Sequence, residues 1–340
     1  MMKRSPRIGV IGAGYWGANL IRNCRELGVL AAVCDTQLRA LDEVRSRYPG
    51  TGLFCDVHAM LDHAKLDAVV IAAPAPAHAA LALAAIDAGK HVFVEKPLAL
   101  NVQDAERVVQ AAEAAGVTLF VGHVLLYHPA VRAMLKCIAQ GRIGRVRHLR
   151  SRRLSWGRLR AHENVWWSFA PHDCALMIEI MKATPSSATG WLSAYVRPGL
   201  GDFAYADFAF DDGRSAHIEV SWLDPDKSSR IDVFGSEGTL TFVDSREGAT
   251  LTLTSCGDRL DTSGEPELWR GGTEQIDLPG GEPLRLELEA FCRAIRGARE
   301  HIPTDGREGL EVVRALAMFD GHTADATRHP EPVEGLEALA

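Results

Sequence analysis

Residues 8–17 read Ile8-Gly9-Val10-Ile11-Gly12-Ala13-Gly14-Tyr15-Trp16-Gly17. A short apolar run ends in GAGYWG, a match to G-x-G-x-x-G, and residues 16–27 then repeat apolar positions at helical spacing. Strand, glycine turn and helix in that order form the phosphate-binding start of a βαβ unit. Gly12 permits the tight turn, Gly14 lets the backbone approach a pyrophosphate, and Gly17 lets helix and strand pack closely. Amides at the helix N-terminus then hold the anion. Asp35 closes the next apolar run, eighteen residues after Gly17. A carboxylate there accepts hydrogen bonds from both ribose hydroxyls and repels a 2′-phosphate, so NAD is expected rather than NADP, with Arg39 working against that preference. A glycine-rich packing turn without a ligand is the weaker reading in this setting.

Outward from this unit the pattern repeats. Apolar runs at 8–11, 29–34, 68–73, 91–94 and 117–121 alternate with helical patterns at 16–27, 37–47, 78–88 and 102–115. Such alternation predicts a doubly wound parallel sheet covered on both faces. Beyond residue 122 the pattern changes to a helix at 129–140, an arginine-rich extended segment, and a helix at about 172–183. Strands with alternating apolar residues follow at 204–210, 215–222, 230–234, 239–243 and 250–254, then helices at 284–296 and 307–320. The fold class expected is α/β followed by α+β with an open, mostly antiparallel sheet. The domains are 1–122 for dinucleotide binding, 123–326 for substrate binding and oligomerisation, and 327–340 as a loose tail.

The 340 residues suit two domains, and 47% apolar with 24% charged residues excludes a disordered or fibrous chain. A net charge of −7 argues against a nucleic-acid partner. The seven cysteines form no C-x-x-C pair, so neither disulfides nor structural zinc are expected, and no metal site is read from the histidines. Residues 68–86 carry no charge, but Pro74 and Pro76 divide them into strand, loop and helix, so no membrane span is expected. A reducing cytoplasm fits best.

The second motif is Glu95-Lys96-Pro97, ending the strand VFVEKP. Ligands bind beyond the carboxyl ends of parallel strands, which points Lys96 into the cofactor crevice; a solvated rim charge is the bland alternative. With GAGYWG, Asp35, this EKP, the two-part layout and the late TDGREGLEVVRAL stretch at 304–316, the chain resembles the Gfo/Idh/MocA oxidoreductases over nearly its whole length. The resemblance implies a catalytic Lys96 beside the nicotinamide, an often cis Lys–Pro bond, and an open-faced sheet supplying the substrate pocket. It further implies a cofactor site drawn from Gly12, Ala13, Gly14, Tyr15, Trp16, Gly17, Asp35, Thr36, Ala73, Pro74, His78, Glu95, Lys96 and His123.

The third motif is Trp166-Trp167-Ser168-Phe169-Ala170-Pro171-His172-Asp173. Pro171 suits a first helical turn and Asp173 the positive end of the dipole, which places His172 where the imidazolium is disfavoured and a neutral base is competent. The resemblance agrees, since family members carry a catalytic histidine here; many also carry an Asp four residues earlier, where this chain has Ser168. The implied substrate-binding residues are Lys96, Tyr127, Arg153, Arg158, Asn164, Trp166, His172 and Asp173, with plain packing expected for at least one of Trp166 and Trp167.

Residues 142–160 hold eight arginines and no acidic residue, leaving −15 for the rest of the chain (−7 minus 8). Arginine binds phosphate bidentately, so two or three of them, with Arg153 and Arg158 foremost, are expected to meet a phosphorylated substrate while the rest are solvated. The runs ENVWWSFAPHD and SWLDPDKSSRIDVFGSEGTL resemble the branch of the family that oxidises nucleotide sugars at C3. UDP-N-acetylglucosamine is then the leading substrate, its 3-keto product feeding a PLP-dependent aminotransferase. UDP-N-acetylglucosaminuronate, a free sugar or inositol, and a non-catalytic dinucleotide sensor are the alternatives. In the expected chemistry His172 takes the C3 hydroxyl proton and Lys96 stabilises the developing alkoxide, the opposite assignment staying open. An open sheet would expose an apolar face, so a homodimer or homotetramer is expected.

Overall fold

The computed structural model describes residues 4–156, 159–160, 163–245, 247–298 and 302–320. Arg158 and the tail 327–340 therefore lie outside the described residues. The first unit runs β1 (Ile8–Ile11), α1 (Tyr15–Glu26), β2 (Leu30–Cys34), α2 (Leu38–Arg47), β3 (Gly52–Phe54), α3 (Val57–His63), β4 (Ala68–Ile71), α4 (His78–Asp87), β5 (His91–Glu95), α5 (Val102–Ala115) and β6 (Leu119–Gly122). All six strands are parallel, in the order β3-β2-β1-β4-β5-β6. The order reverses between β1 and β4, which opens a crevice at the carboxyl ends of those strands. The strand β3 and helix α3 were not foreseen, because a three-residue edge strand is too short to carry a period.

The second unit continues with α6 (Pro129–Ala139), β7 (Val146–Trp156), α7 (Val165–Met181), β8 (Ser187–Ser193), β9 (Phe203–Ala209), β10 (Ser215–Ser221), β11 (Leu223–Gly235), β12 (Gly238–Ser245), β13 (Gly248–Leu260) and β14 (Pro266–Gln275). Helices α8 (Pro283–Ile295) and α9 (Gly306–Asp320) close the chain. Eight strands form one sheet, β14-β13-β12-β11-β7-β10-β9-β8, antiparallel except where β10 meets β7. The expected strands are present. The two outermost, β8 and β14, were missed because SATGWLS and PELWRGGTEQ lack the alternation of a half-buried strand.

One boundary differs in a way that matters. The helix expected at about 172–183 begins at Val165, and Pro171 lies inside it. Asn164 is the cap, its side chain accepting from Trp167 N–H at 3.0 Å. A mid-helix proline costs about 3 kcal/mol in isolation. It is tolerated because thirteen of the seventeen residues of α7 are buried, including Trp166, Trp167, Leu176 and Met177.

Helices α8 and α9 return to the first unit. Phe291 on α8 packs edge-on against Phe93 of β5 and Phe120 of β6, and Glu282 ahead of α8 accepts from Arg22 and Asn23 on α1. The two units thus share a core running through β5, β6, α8 and α9, and α7 is buried between that core and the large sheet.

The sheet face turned away from α7 corrects an expectation. Asp207, His217, Arg150, Asp232 and Thr241 stand in register across β9, β10, β7, β11 and β12. Asp232 there accepts from Arg150, Arg230 and Thr241. This row is charged, and the same face also carries Trp191, Tyr205 and Phe234 in the neighbouring rows, so it is mixed rather than purely apolar.

Candidate active site

The glycine turn is built by steric necessity. Gly12 has φ +97°, and a Cβ there would stand 2.7 Å from the Ala72 carbonyl oxygen; a Cβ on Gly17 would stand 2.1 Å from the Gly12 oxygen. Gly14 caps α1 and faces open space, as a backbone that cradles a pyrophosphate must. Asp35, just past β2, accepts from Ala13 N–H at 2.6 Å and Gln37 N–H at 2.8 Å, which fixes its carboxylate beside the turn. Thr36, next in sequence, is exposed, and so is Tyr15 at the start of α1. These residues fit a dinucleotide at the β1/β4 switch point.

Trp16 reaches across the crevice. Its indole N–H donates to Glu95 Oε1 at 2.5 Å, tying the glycine turn to the end of β5. Glu95 is buried, and burial pushes its carboxyl up to about 7 against the opposing pull of the Trp16 hydrogen bond and Lys96. Lys96 follows, and its bond to Pro97 is cis. Lys96 Nζ donates to the carbonyl of Ser168 on α7 at 2.7 Å. Pro171 has no N–H for the carbonyl of Trp167, and the lysine enters at the next carbonyl along. Burial holds the ammonium below its ordinary range; Arg160 and Arg153 add to that depression, and Glu163 and Glu95 oppose it.

His172 is half-buried on the same helix, two turns in from its start. The expectation that the helix dipole keeps it neutral is corrected, because that field fades within the first turn. Burial comes first, and Lys96, Arg153 and His123 add to it, pushing the imidazole well below its usual range. His123, just past β6, is fully buried with its ring edge-on to His172, centroids 6.2 Å apart. Burial and Lys96 drop it to about 3.

Several expected ligand contacts prove structural. His78 is fully buried, with Nδ1 at 2.7 Å from the Pro97 carbonyl and Nε2 at 2.8 Å from the Ala73 carbonyl. The neutral ring has one N–H to donate to one of these carbonyls, and both nitrogens face protein backbone rather than a cofactor. Tyr127 is buried with its hydroxyl 3.1 Å from Thr304 Oγ1. Trp166 is fully buried against Phe208 and Phe319 and donates to the Leu316 carbonyl, so it is core. Asn164 uses its Oδ1 on the cap and keeps its Nδ2 donors. Asp173 is buried, accepting from Ser151 Oγ at 2.6 Å and from Arg153 Nε and Nη2 at 2.8 and 3.0 Å.

The arginine run is mostly neutralised within the chain. Arg142, Arg147, Arg150, Arg152, Arg153 and Arg160 pair with Glu274, Asp258, Asp232, Glu219, Asp173 and Glu163. Arg147, Arg150 and Arg152 lie on strand β7 and pair with carboxylates of β13, β11 and β10, whereas Arg153 and the Arg160–Glu163 pair bear electrostatically on Lys96. Sequence reading missed Arg160 and Glu163 as site residues. Their i,i+3 spacing just ahead of the Asn164 cap was the signal available.

The chain matches the oxidoreductase family with an NAD-binding Rossmann fold over residues 6–123, and the Gfo/Idh/MocA C-terminal domain over residues 131–241. It belongs to the Gfo/Idh/MocA family. The chain is 27% identical over 312 residues to the UDP-N-acetylglucosamine 3-dehydrogenase of Acidithiobacillus ferrooxidans, covering 91% of this chain and 94% of that one. A crystal structure of that dehydrogenase superposes with a TM-score of 0.83 at 26% identity, over 96% of this chain and 100% of the other. The myo-inositol 2-dehydrogenase of Thermotoga maritima is 28% identical over 267 residues, 74% of this chain and 80% of that enzyme. A Gfo/Idh/MocA chain with this turn binds a dinucleotide and belongs to a family of oxidoreductases.

Proposed function

We propose that the chain is an NAD-dependent dehydrogenase oxidising the C3 hydroxyl of a UDP-linked N-acetylhexosamine, UDP-N-acetylglucosamine foremost, to the 3-keto sugar. The observation that carries the reading is the hydrogen bond of Lys96 to the Ser168 carbonyl on α7, which brings the lysine ammonium to the helix of His172, near enough to depress that imidazole electrostatically. The similarity to the A. ferrooxidans enzyme along nearly the whole of both chains supports the substrate.

When bound, the dinucleotide supplies the hydride acceptor. Gly12, Ala13, Gly14 and the first turn of α1 would hold its pyrophosphate, and Asp35 its adenosine ribose, favouring NAD. His172, neutral at pH 7, takes the hydroxyl proton as the carbonyl forms. Lys96 has donors beyond the one given to Ser168, and donates to the same oxygen while it carries alkoxide charge. Positioned proton transfer of this kind is worth roughly 10²–10⁴ in rate. Lys96 as base, with His172 as orienter, uses the same geometry. The product is a 3-keto nucleotide sugar, the substrate class of a PLP-dependent aminotransferase. The chain acts in the cytoplasm, as a homodimer or homotetramer.

A second reading has its own support. The described arginines near the site, Arg153 and Arg160, are paired with carboxylates, and the T. maritima relative is a myo-inositol dehydrogenase. Oxidation of an uncharged polyol would need no phosphate site. NADH absorbance assays separate the two: UDP-N-acetylglucosamine, UDP-N-acetylglucosaminuronate, myo-inositol and free hexoses are offered with NAD, with and without glutamate and an aminotransferase. Turnover only with the UDP sugars supports the proposal, and turnover only with UDP-free polyols overturns it. Lys96→Ala and His172→Ala should each lose at least about a hundredfold in kcat with NAD binding intact. Near-normal turnover in both would defeat the mechanism.

A further inference from the structure

His123 is fully buried, and among the described residues neither ring nitrogen has a hydrogen-bond partner. Two more buried polar atoms on the facing helix share that condition, Ser168 Oγ and His172 Nδ1. Ser168 and His172 are four residues apart on α7, hence on one face. The His123 ring meets the His172 ring at 84°. Buried polar atoms are ordinarily hydrogen-bonded, so four orphans on two histidines in ring contact and on the serine one helical turn before His172 point to a role.

The role follows from which nitrogen of His172 faces which way. Nδ1 is buried, so Nε2 is the nitrogen that opens on the cleft. A neutral imidazole carries one proton, and the partner of one nitrogen decides where it sits. To take a substrate proton at Nε2, His172 must keep its own proton on Nδ1, and that proton needs an acceptor behind it. The adjacent carboxylate, Asp173, is turned away onto Ser151 and Arg153. We propose that His123, assisted by the Ser168 hydroxyl, is that acceptor: a positioning residue that sets the tautomer of His172. The rings make no direct hydrogen bond; their spacing suits one bridging water, which Ser168 Oγ would also hold. A histidine kept uncharged by burial retains the lone pair such a partner requires.

This role presupposes that His172 is the acid–base group of the proposed reaction, yet it is read without any substrate. The full chain is labelled with ¹⁵N-histidine, and the His172 ring signals are assigned by their loss in His172→Gln. The expected result is the Nδ1–H tautomer in the native protein and in His123→Asn, whose amide oxygen also accepts. In His123→Phe the Nε2–H form should rise to at least about half, and kcat should fall about tenfold or more with the KM for NAD unchanged. An Nε2–H ring in the native protein overturns the assignment, and that spectrum needs no variant to fold. An unchanged tautomer in folded His123→Phe overturns it too, as does a loss confined to NAD affinity, which would put His123 on the cofactor instead.

Discussion

Arg153 on β7 is gripped by Asp173 on α7 through Nε at 2.8 Å and Nη2 at 3.0 Å. Strand and helix are thereby locked together directly behind His172. The guanidinium, which sequence reading aimed at a phosphate, spends two donors inside the protein. Removing one partner of a buried pair leaves the other charge uncompensated. Asp173→Asn should therefore destabilise the chain by about 3 kcal/mol in urea unfolding. A loss under about 1 kcal/mol would show that the pair is replaceable.

Asp35 makes two backbone hydrogen bonds that hold its carboxylate at the glycine turn. Its negative charge is the element that rejects a 2′-phosphate. Fluorescence titration should show at least about tenfold tighter binding of NADH than NADPH, worth about 1.4 kcal/mol. In Asp35→Ser the preference should shrink or reverse, with Arg39 then available to the phosphate. Equal binding of both by the native protein would place the selectivity elsewhere.

The pH dependence of stability carries the signature of His123. Its folded value of about 3 lies below the unfolded value near 6.5, so the unfolded chain binds the proton first as pH falls. The contribution is present above about pH 6.5 and is lost on the way down toward 3. Between pH 7 and 5 the native protein should lose about 2 kcal/mol more than His123→Phe does. Parallel stability curves for the two would mean that His123 is solvated.

Asp232 anchors the charged row on the large sheet by accepting from Arg150, Arg230 and Thr241. No element of the chain's described residues is placed over that row, and we expect a second copy of the chain to cover it. Sedimentation should show a dimer or larger, and Asp232→Ala, which leaves two arginines repelling each other, should weaken assembly at least about tenfold. Unchanged assembly in that variant would move the interface off this face.

Local order was sufficient for much of this protein. GAGYWG with Asp35 specified the dinucleotide turn, because phosphate approach and a tight strand-to-helix turn demand glycine at fixed offsets. The alternation of runs specified a parallel sheet followed by an antiparallel one, and EKP placed Lys96 at a strand end. What no periodicity could reveal was which side chains pair across the chain. Pro171 reads locally as a helix start, yet burial of α7 between the two units carries the helix back to the Asn164 cap. The arginine run reads as a phosphate site until the carboxylates of distant strands arrive beside it. Tertiary structure also joined Trp16 to Glu95, Lys96 to Ser168 and His123 to His172, pairs separated by 79, 72 and 49 residues (172 minus 123). A hydrogen bond or a desolvated charge depends on what is near in space, and only the packed core sets that.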